Sequence, residues 1–232
     1  MIKVYYRLSN LEAGQPKVKL DHATKYHCLQ NAINVFGVDN ITIIGDRLNS
    51  STLDKVKQLK LRLIQVDNGS GSGTFRDALN IAIKENEDKE IIYLLEDDFL
   101  HLPNALLLLE EGVNKFNAYI TGYDHPDKYI NKELGGNPYI ESEGEVTRLV
   151  KTENTHWKMT NSTVMSFATS RKRLVEDRDL LLQFSKDNIT DSFGFFQTIS
   201  ENKGIPVLST VPGISTHIEK QWLSPLTNWD NV

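Results

Sequence analysis

The stretch Ile91-Ile92-Tyr93-Leu94-Leu95 runs straight into Glu96-Asp97-Asp98. An apolar run of that length, bounded on both sides by polar residues, suits a strand buried on both faces, the habit of a parallel sheet covered by helices. Three consecutive carboxylates at its end repel one another unless a cation or protons offset the charge. In an extended chain Glu96 and Asp98 project to one side and Asp97 to the other. Two hard oxygen ligands on one side suit Mg²⁺ or Mn²⁺. The competing reading is an acidic turn capping the helix that starts near Pro103.

The surrounding pattern agrees with a buried strand. Residues 2–8 read as a strand. A helix over 22–36 follows, capped by Asp21, with Tyr26, Leu29, Ile33 and Phe36 on one face and Gly37 at its end. Strands over 41–44 and 61–66 enclose a helix over 50–59. A Gly/Ser loop over 68–73 leads to a helix over 74–85, then the 91–95 strand, a helix opened by Pro103 and a strand over 118–121. This alternation predicts an α/β fold: a single Rossmann-like domain with a central, mostly parallel sheet flanked by helices. Right-handed crossovers put the strands' carboxyl ends, and with them Asp46, Asp67 and the acid triplet, on one edge where ligands bind. Beyond 121 the alternation breaks. Residues 122–143 read as a long loop, 146–150 and 163–168 as strands, 171–184 as mostly helical, 192–201 as a helix with Asp191 at its cap, and 206–208 as a short strand. The chain divides on this reading into a first half (1–121) that carries the alternation and a second (122–232) that packs onto the sheet's edge within the same domain.

Composition narrows the partners. Lys and Arg number 26 against 31 Asp and Glu, a net charge of −5, which argues against an extended nucleic-acid interface. The single cysteine, Cys28, excludes an intrachain disulfide framework and suits a reducing, cytoplasmic setting. No signal peptide is legible, and no apolar stretch approaches a membrane span of ~20 residues.

The segment Leu94 to Pro103, with its acids between a strand and a helix, resembles the metal-binding Asp-x-Asp motif of nucleotide-sugar glycosyltransferases of the A type, such as the small domains of bacteria and large DNA viruses. The likeness covers most of residues 1–220 in element order, with Glu96 where the family usually has Asp. It implies an Mn²⁺ or Mg²⁺ cofactor held by Asp98, with Glu96 or Asp97 on the metal, its waters or the donor ribose. A divalent cation would offset charge on the departing diphosphate. It further implies His217 as a third metal ligand, against the plain reading of a surface histidine. Asp191, with Asp187 in reserve, becomes the general base of an inverting transfer; the plain reading of Asp191 is a helix cap. Arg7, Ser9, Asp46 and Arg76 would line the nucleotide-sugar pocket. His156 and Trp157 would meet the acceptor, or Trp157 would lie in the core. Trp222 and Trp229 would close over the cleft.

The expected function is therefore metal-dependent transfer of a sugar, UDP-sugar favoured, from a nucleoside-diphosphate donor to a glycan or glycoprotein hydroxyl. Two rivals stand beside it. A sugar-1-phosphate nucleotidyltransferase shares the layout, but usually carries a glycine-rich loop with Arg and Lys after the first strand. Leu8-Ser9-Asn10-Leu11-Glu12-Ala13-Gly14 does not match that loop. A non-catalytic nucleotide- or glycan-binding module would bind without turnover.

Overall fold

The computed structural model describes residues 1–11, 17–140 and 144–232. The first half runs β1 (Ile2–Ser9), α1 (Lys25–Phe36), β2 (Ile41–Asp46), α2 (Ser50–Gln58), β3 (Arg62–Val66), α3 (Gly71–Glu85), β4 (Ile91–Glu96), β5 (Phe99–His101), α4 (Ala105–Phe116) and β6 (Tyr119–Thr121). The second runs β7 (Leu149–Lys151), β8 (His156–Met159), β9 (Phe167–Ser170), α5 (Arg171–Glu176), α6 (Arg178–Phe184), α7 (Ser192–Lys203), β10 (Val207–Val211) and β11 (Ser215–His217). Among the described residues one sheet holds nine strands in the order β3-β2-β1-β4-β9-β6-β10-β8-β7, and β5 pairs with β11 in a second. In the large sheet β8 and β9 run opposite to the rest. The result is an α/β domain with a Rossmann-like, mostly parallel central sheet, as the alternation predicts.

β4 lies at the heart of it. Ile91, Tyr93 and Leu95 enter the core under α1 and α4, while Ile92 and Leu94 enter the opposite core under α3 and α7. A strand flanked on both faces cannot alternate apolar and polar residues, which is why it reads as an unbroken apolar run. The second half is woven into the same sheet, because β9 lies between β4 and β6 and β10 pairs with β6.

Local chemistry moves several boundaries. Thr24 caps α1, accepting from the His27 N–H at 3.1 Å; Asp21 instead pairs with Lys220. The Gly/Ser loop ends sooner than expected. Ser70 caps Gly73, so Gly71, Ser72 and Gly73 form the first turn of α3. Among the described residues, 126–129 and 132–134 form short 3-10 turns within the expected long loop; residues 141–143 at its end, like Glu12, Ala13 and Gly14 after β1, lie outside the described residues. His156 to Met159, expected between strands, is strand β8 itself. Asp97 and Asp98 do not continue β4 but turn the chain into β5.

Candidate functional site

From β1 the chain winds outward through β2 to β3, then returns to place β4 on the other side of β1. That reversal opens a crevice at the carboxyl ends of β1 and β4, the place where open α/β sheets take ligands. Ser9 ends β1, and the acid turn follows β4.

The turn sends its three carboxylates in three directions. Asp97 faces the β1 exit. Its Oδ2 accepts from the Ser9 N–H at 2.9 Å and lies 2.9 Å from Lys25 Nζ, which also donates to the Ser9 carbonyl at 2.6 Å. Asp98 faces the tail, with Oδ2 2.8 Å from His217 Nε2. The β5–β11 ladder sets Phe99 opposite His217, and the Ile218 N–H donates to the Asp98 carbonyl at 3.0 Å. Glu96 turns to the α3 side. Its carboxylate lies 3.3 Å from Arg7 Nη2 and accepts from Ser166 Oγ at 3.0 Å. Arg7 is 6% exposed and is fixed further by the Met165 carbonyl at 2.8 Å and the Phe75 ring.

These surroundings split the acids. Burial, with the neighbouring Asp98 charge, pushes Asp97 up to about 6, and Lys25 pulls it back only in part. Burial would raise Asp98 too, but His217, Lys17 and Lys25 outweigh it and hold that carboxyl down to about 2. His217 moves the other way: burial disfavours its charge, and Asp98 prevails and raises it. Lys17 makes an ion pair with Glu219, two residues beyond His217. The crevice is thus lined by Lys17, Lys25 and Arg7 as well as by acids.

The expectation that Glu96 and Asp98 hold one cation together is corrected, because Asp97-Asp98 turn the chain and Glu96 is engaged by Arg7 and Ser166. Among the described residues no group of three or more His, Cys, Asp or Glu is placed to hold a metal ion. The donor set is Asp98; His217, expected as a further ligand, has its Nε2 turned to that carboxylate and its Nδ1 accepting from the Glu219 N–H. Such a set fits a hard divalent cation that keeps its waters and takes its remaining ligands from substrate phosphates.

Other expected site residues lie apart. Asp46 is buried, accepting from the Asn68 and Gly69 N–H groups and from Thr74 Oγ1; all its bonds hold the β3–α3 connection, which leaves none for a ribose. Arg76 donates to the Ser185 carbonyl beyond α6. Trp157 is 0% exposed, and its ring fills the space beside Gly112 of α4, so it is core and cannot meet an acceptor. His156 is exposed at the start of β8, paired with Val211 and Lys151. Asp191 caps α7 through Gly194, and its neighbour Thr190 bonds Ser72 of α3 at 2.8 Å. Asp187 is exposed between α6 and α7. Trp229 is buried, donating to the Ser224 carbonyl. The residues brought together are Arg7, Ser9, Glu96, Asp97, Asp98 and His217. Lys25, Lys17, Glu219 and Ser166 were not foreseen. Only Lys25 left a signal, as a cation at a helix start after the first strand.

No family model matches the chain, and no curated protein does. Solved structures match in fold. CMP:2-keto-3-deoxy-manno-octonic acid synthetase, complexed with CTP, is 14% identical, with 92% of each chain covered and a TM-score of 0.50. The protein A197 from STIV is 13% identical over 96% of this chain and 90% of its own, TM-score 0.50. A nucleotidyl transferase from Methanothermobacter thermautotroptrophicus is 12% identical over 90% of this chain and 86% of its own, TM-score 0.51. At such identities the likeness shows a shared fold. It also corrects the expected activity: two of these three neighbours are named for an activity, as a CMP:2-keto-3-deoxy-manno-octonic acid synthetase and a nucleotidyl transferase, so the glycosyltransferase reading is set aside. The resemblance behind it holds at the level of a Rossmann-like nucleotide-binding fold.

Proposed function

We propose that the chain is a sugar-1-phosphate nucleotidyltransferase, joining a nucleoside triphosphate to a sugar 1-phosphate with release of pyrophosphate. The observation that carries this reading is the pairing of cations with acids at the β1/β4 crevice, Lys25 on Asp97 above all. A triphosphate is the most anionic of the ligands considered, and it needs positive charge near the phosphorus under attack and near the leaving pyrophosphate. The missing glycine-rich loop after β1 counted against this class. Lys17 and Lys25, later in the same connection, supply cations at the same strand exit.

An oxygen of the sugar phosphate attacks the α-phosphorus in line, and the bond from that phosphorus to the bridging oxygen breaks, sending its electrons to pyrophosphate. Phosphate oxygens need no proton removed before they attack, so Asp191 is free to be a cap. Lys25 and Lys17 offset charge on the triphosphate. Asp98, kept ionised beside His217, and Asp97 would hold a divalent cation through its waters and the substrate phosphates. When bound, that cation offsets charge on the leaving group. Arg7 and Ser166 fix Glu96 at the rim, where it can accept from a ligand hydroxyl. A cytoplasmic location belongs to this reading, supported by the unpaired, buried Cys28; among the described residues no helix is long and apolar enough to cross a membrane.

The experiment is a thermal-shift screen in Mg²⁺ of nucleoside triphosphates against sugar nucleotides. Ligand binding raises the melting temperature with concentration over Kd. A triphosphate giving the larger shift supports the reading, and silence from every triphosphate sinks it.

A further inference from the structure

The segment that brings His217 to Asp98 carries a second group of a different kind. The chain continues from His217 through Ile218, bonded to the Asp98 carbonyl, into a single 3-10 turn over Lys220–Trp222. Tyr123, two residues past β6, donates its hydroxyl to the Trp222 carbonyl at 2.5 Å, which fixes the backbone independently of the indole. Aromatic rings then link the acid turn to that indole. Phe99 lies 5.4 Å from His217 and 5.3 Å from Tyr123. Tyr123 lies 4.8 Å from His125, and His125 5.1 Å from Trp222.

Trp222 differs from the other two tryptophans. Trp157 and Trp229 are buried with their indole N–H groups bonded to Thr152 and to the Ser224 carbonyl. Trp222 is half-buried, and among the described residues its N–H has no protein partner. An indole with one end apolar and a donor left open is what a ligand with both apolar faces and hydroxyls needs. Its place along the edge decides which ligand. The strand-order reversal puts the nucleotide between β1 and β4. Trp222 stands on the other side of the acid turn, next to β6.

We propose that Trp222, backed by His125, is the stacking platform for the pyranose ring of the sugar phosphate. This rests on the nucleotidyl-transfer reading and adds where the second substrate sits: its ring C–H face lies on the indole, a hydroxyl accepts from Nε1, and its phosphate points toward Lys25 and Asp98.

The test uses the intact chain in Mg²⁺ with two separate titrations. One follows melting temperature against the common nucleoside triphosphates. The other follows, by calorimetry, the 1-phosphates of glucose, galactose, mannose and N-acetylglucosamine. Wild type is expected to bind a triphosphate and at least one hexose phosphate. Trp222→Ala should weaken the hexose phosphate roughly 10-fold and leave the triphosphate in place, and Trp222→Phe should restore most of the loss. Three results overturn the platform while the nucleotide reading stands: unchanged hexose-phosphate affinity in Trp222→Ala, equal weakening of both ligands, or a wild type that binds triphosphate but no hexose phosphate. A wild type that binds no triphosphate overturns the functional reading, and the platform falls with it.

Discussion

Lys25 Nζ lies 2.9 Å from Asp97 Oδ2, and this pair ties the first turn of α1 to the turn that ends β4. Burial of Asp97 and the His217 partner of Asp98 drive the two acids of that turn apart, and Lys25 narrows the gap. Asp97 is left high by burial despite Lys25, and Asp98 is held low by His217. Asp97 therefore makes stability depend on pH in a direction unusual for an aspartate. Its folded pKa of about 6 lies above the ordinary 3.8, so the stability it contributes is fully present below the ordinary value and is lost as pH rises through about 6. In the ligand-free protein, the melting temperature of Asp97→Asn should therefore pull ahead of wild type by a few degrees as pH rises through that window, then level off. A gap that does not change with pH contradicts this.

Removing the cation tests its other role. Lys25→Met keeps the length and helix propensity of the side chain but leaves the triphosphate one positive charge short. Its affinity should fall about 10-fold or more, by analogy with the roughly 1.5–3 kcal/mol of a hydrogen bond to a charged group, while the fold survives. Equal triphosphate titrations for wild type and variant would make Lys25 a structural tie only.

Metal binding should be conditional. With Asp98 in place but, among the described residues, no group of three ligands to complete a cage, Mg²⁺ alone should give little heat in calorimetry. Adding a triphosphate should make both bind tightly, because coupling between two ligands is reciprocal. Tight Mg²⁺ binding to the bare protein would mean a complete protein cage and contradict the geometry.

Asp191 separates the two transfer chemistries. Its carboxylate caps α7 by accepting from Gly194, a role asparagine fills equally well. Loss of a general base would cost about 10²–10⁴ in rate; Asp191→Asn should instead keep kcat within a few-fold and melt near wild type. A collapse in kcat with binding intact would return Asp191 to catalysis.

The sequence was legible where a run was long and its environment uniform. β4 has five apolar residues in both cores, and no other element suits them. β5, β8 and β11 were not legible, because three or four residues such as Ser215-Thr216-His217 are too few for a period to emerge. β8 was masked further by Lys158, whose charge reads as exposed but is buried against Asp124 at 2.8 Å. Gly71 and Gly73 looked like a loop, and the Ser70 cap turned them into a helix start. The site was half legible. Its acids and His217 could be named from the chain, but the direction of each carboxylate depends on partners distant in sequence: Lys25 for Asp97, His217 for Asp98, Arg7 and Ser166 for Glu96. Those partners decide whether the triplet is a metal cage or a mixed acid and base lining. The glycosyl-transfer expectation was set aside on the fold neighbours instead, which no residue of the chain announced.

The most direct measurement is pyrophosphate release. The intact chain is incubated in Mg²⁺ with each nucleoside triphosphate, with and without a panel of sugar 1-phosphates, and pyrophosphate and sugar nucleotide are quantified together. One pairing is expected to yield both products in equal amounts, neither should form without the sugar phosphate, and Lys25→Met and Asp98→Asn should lower both. Sugar transfer from a ready-made sugar nucleotide, with no pyrophosphate from any triphosphate, would contradict the nucleotidyl-transfer reading.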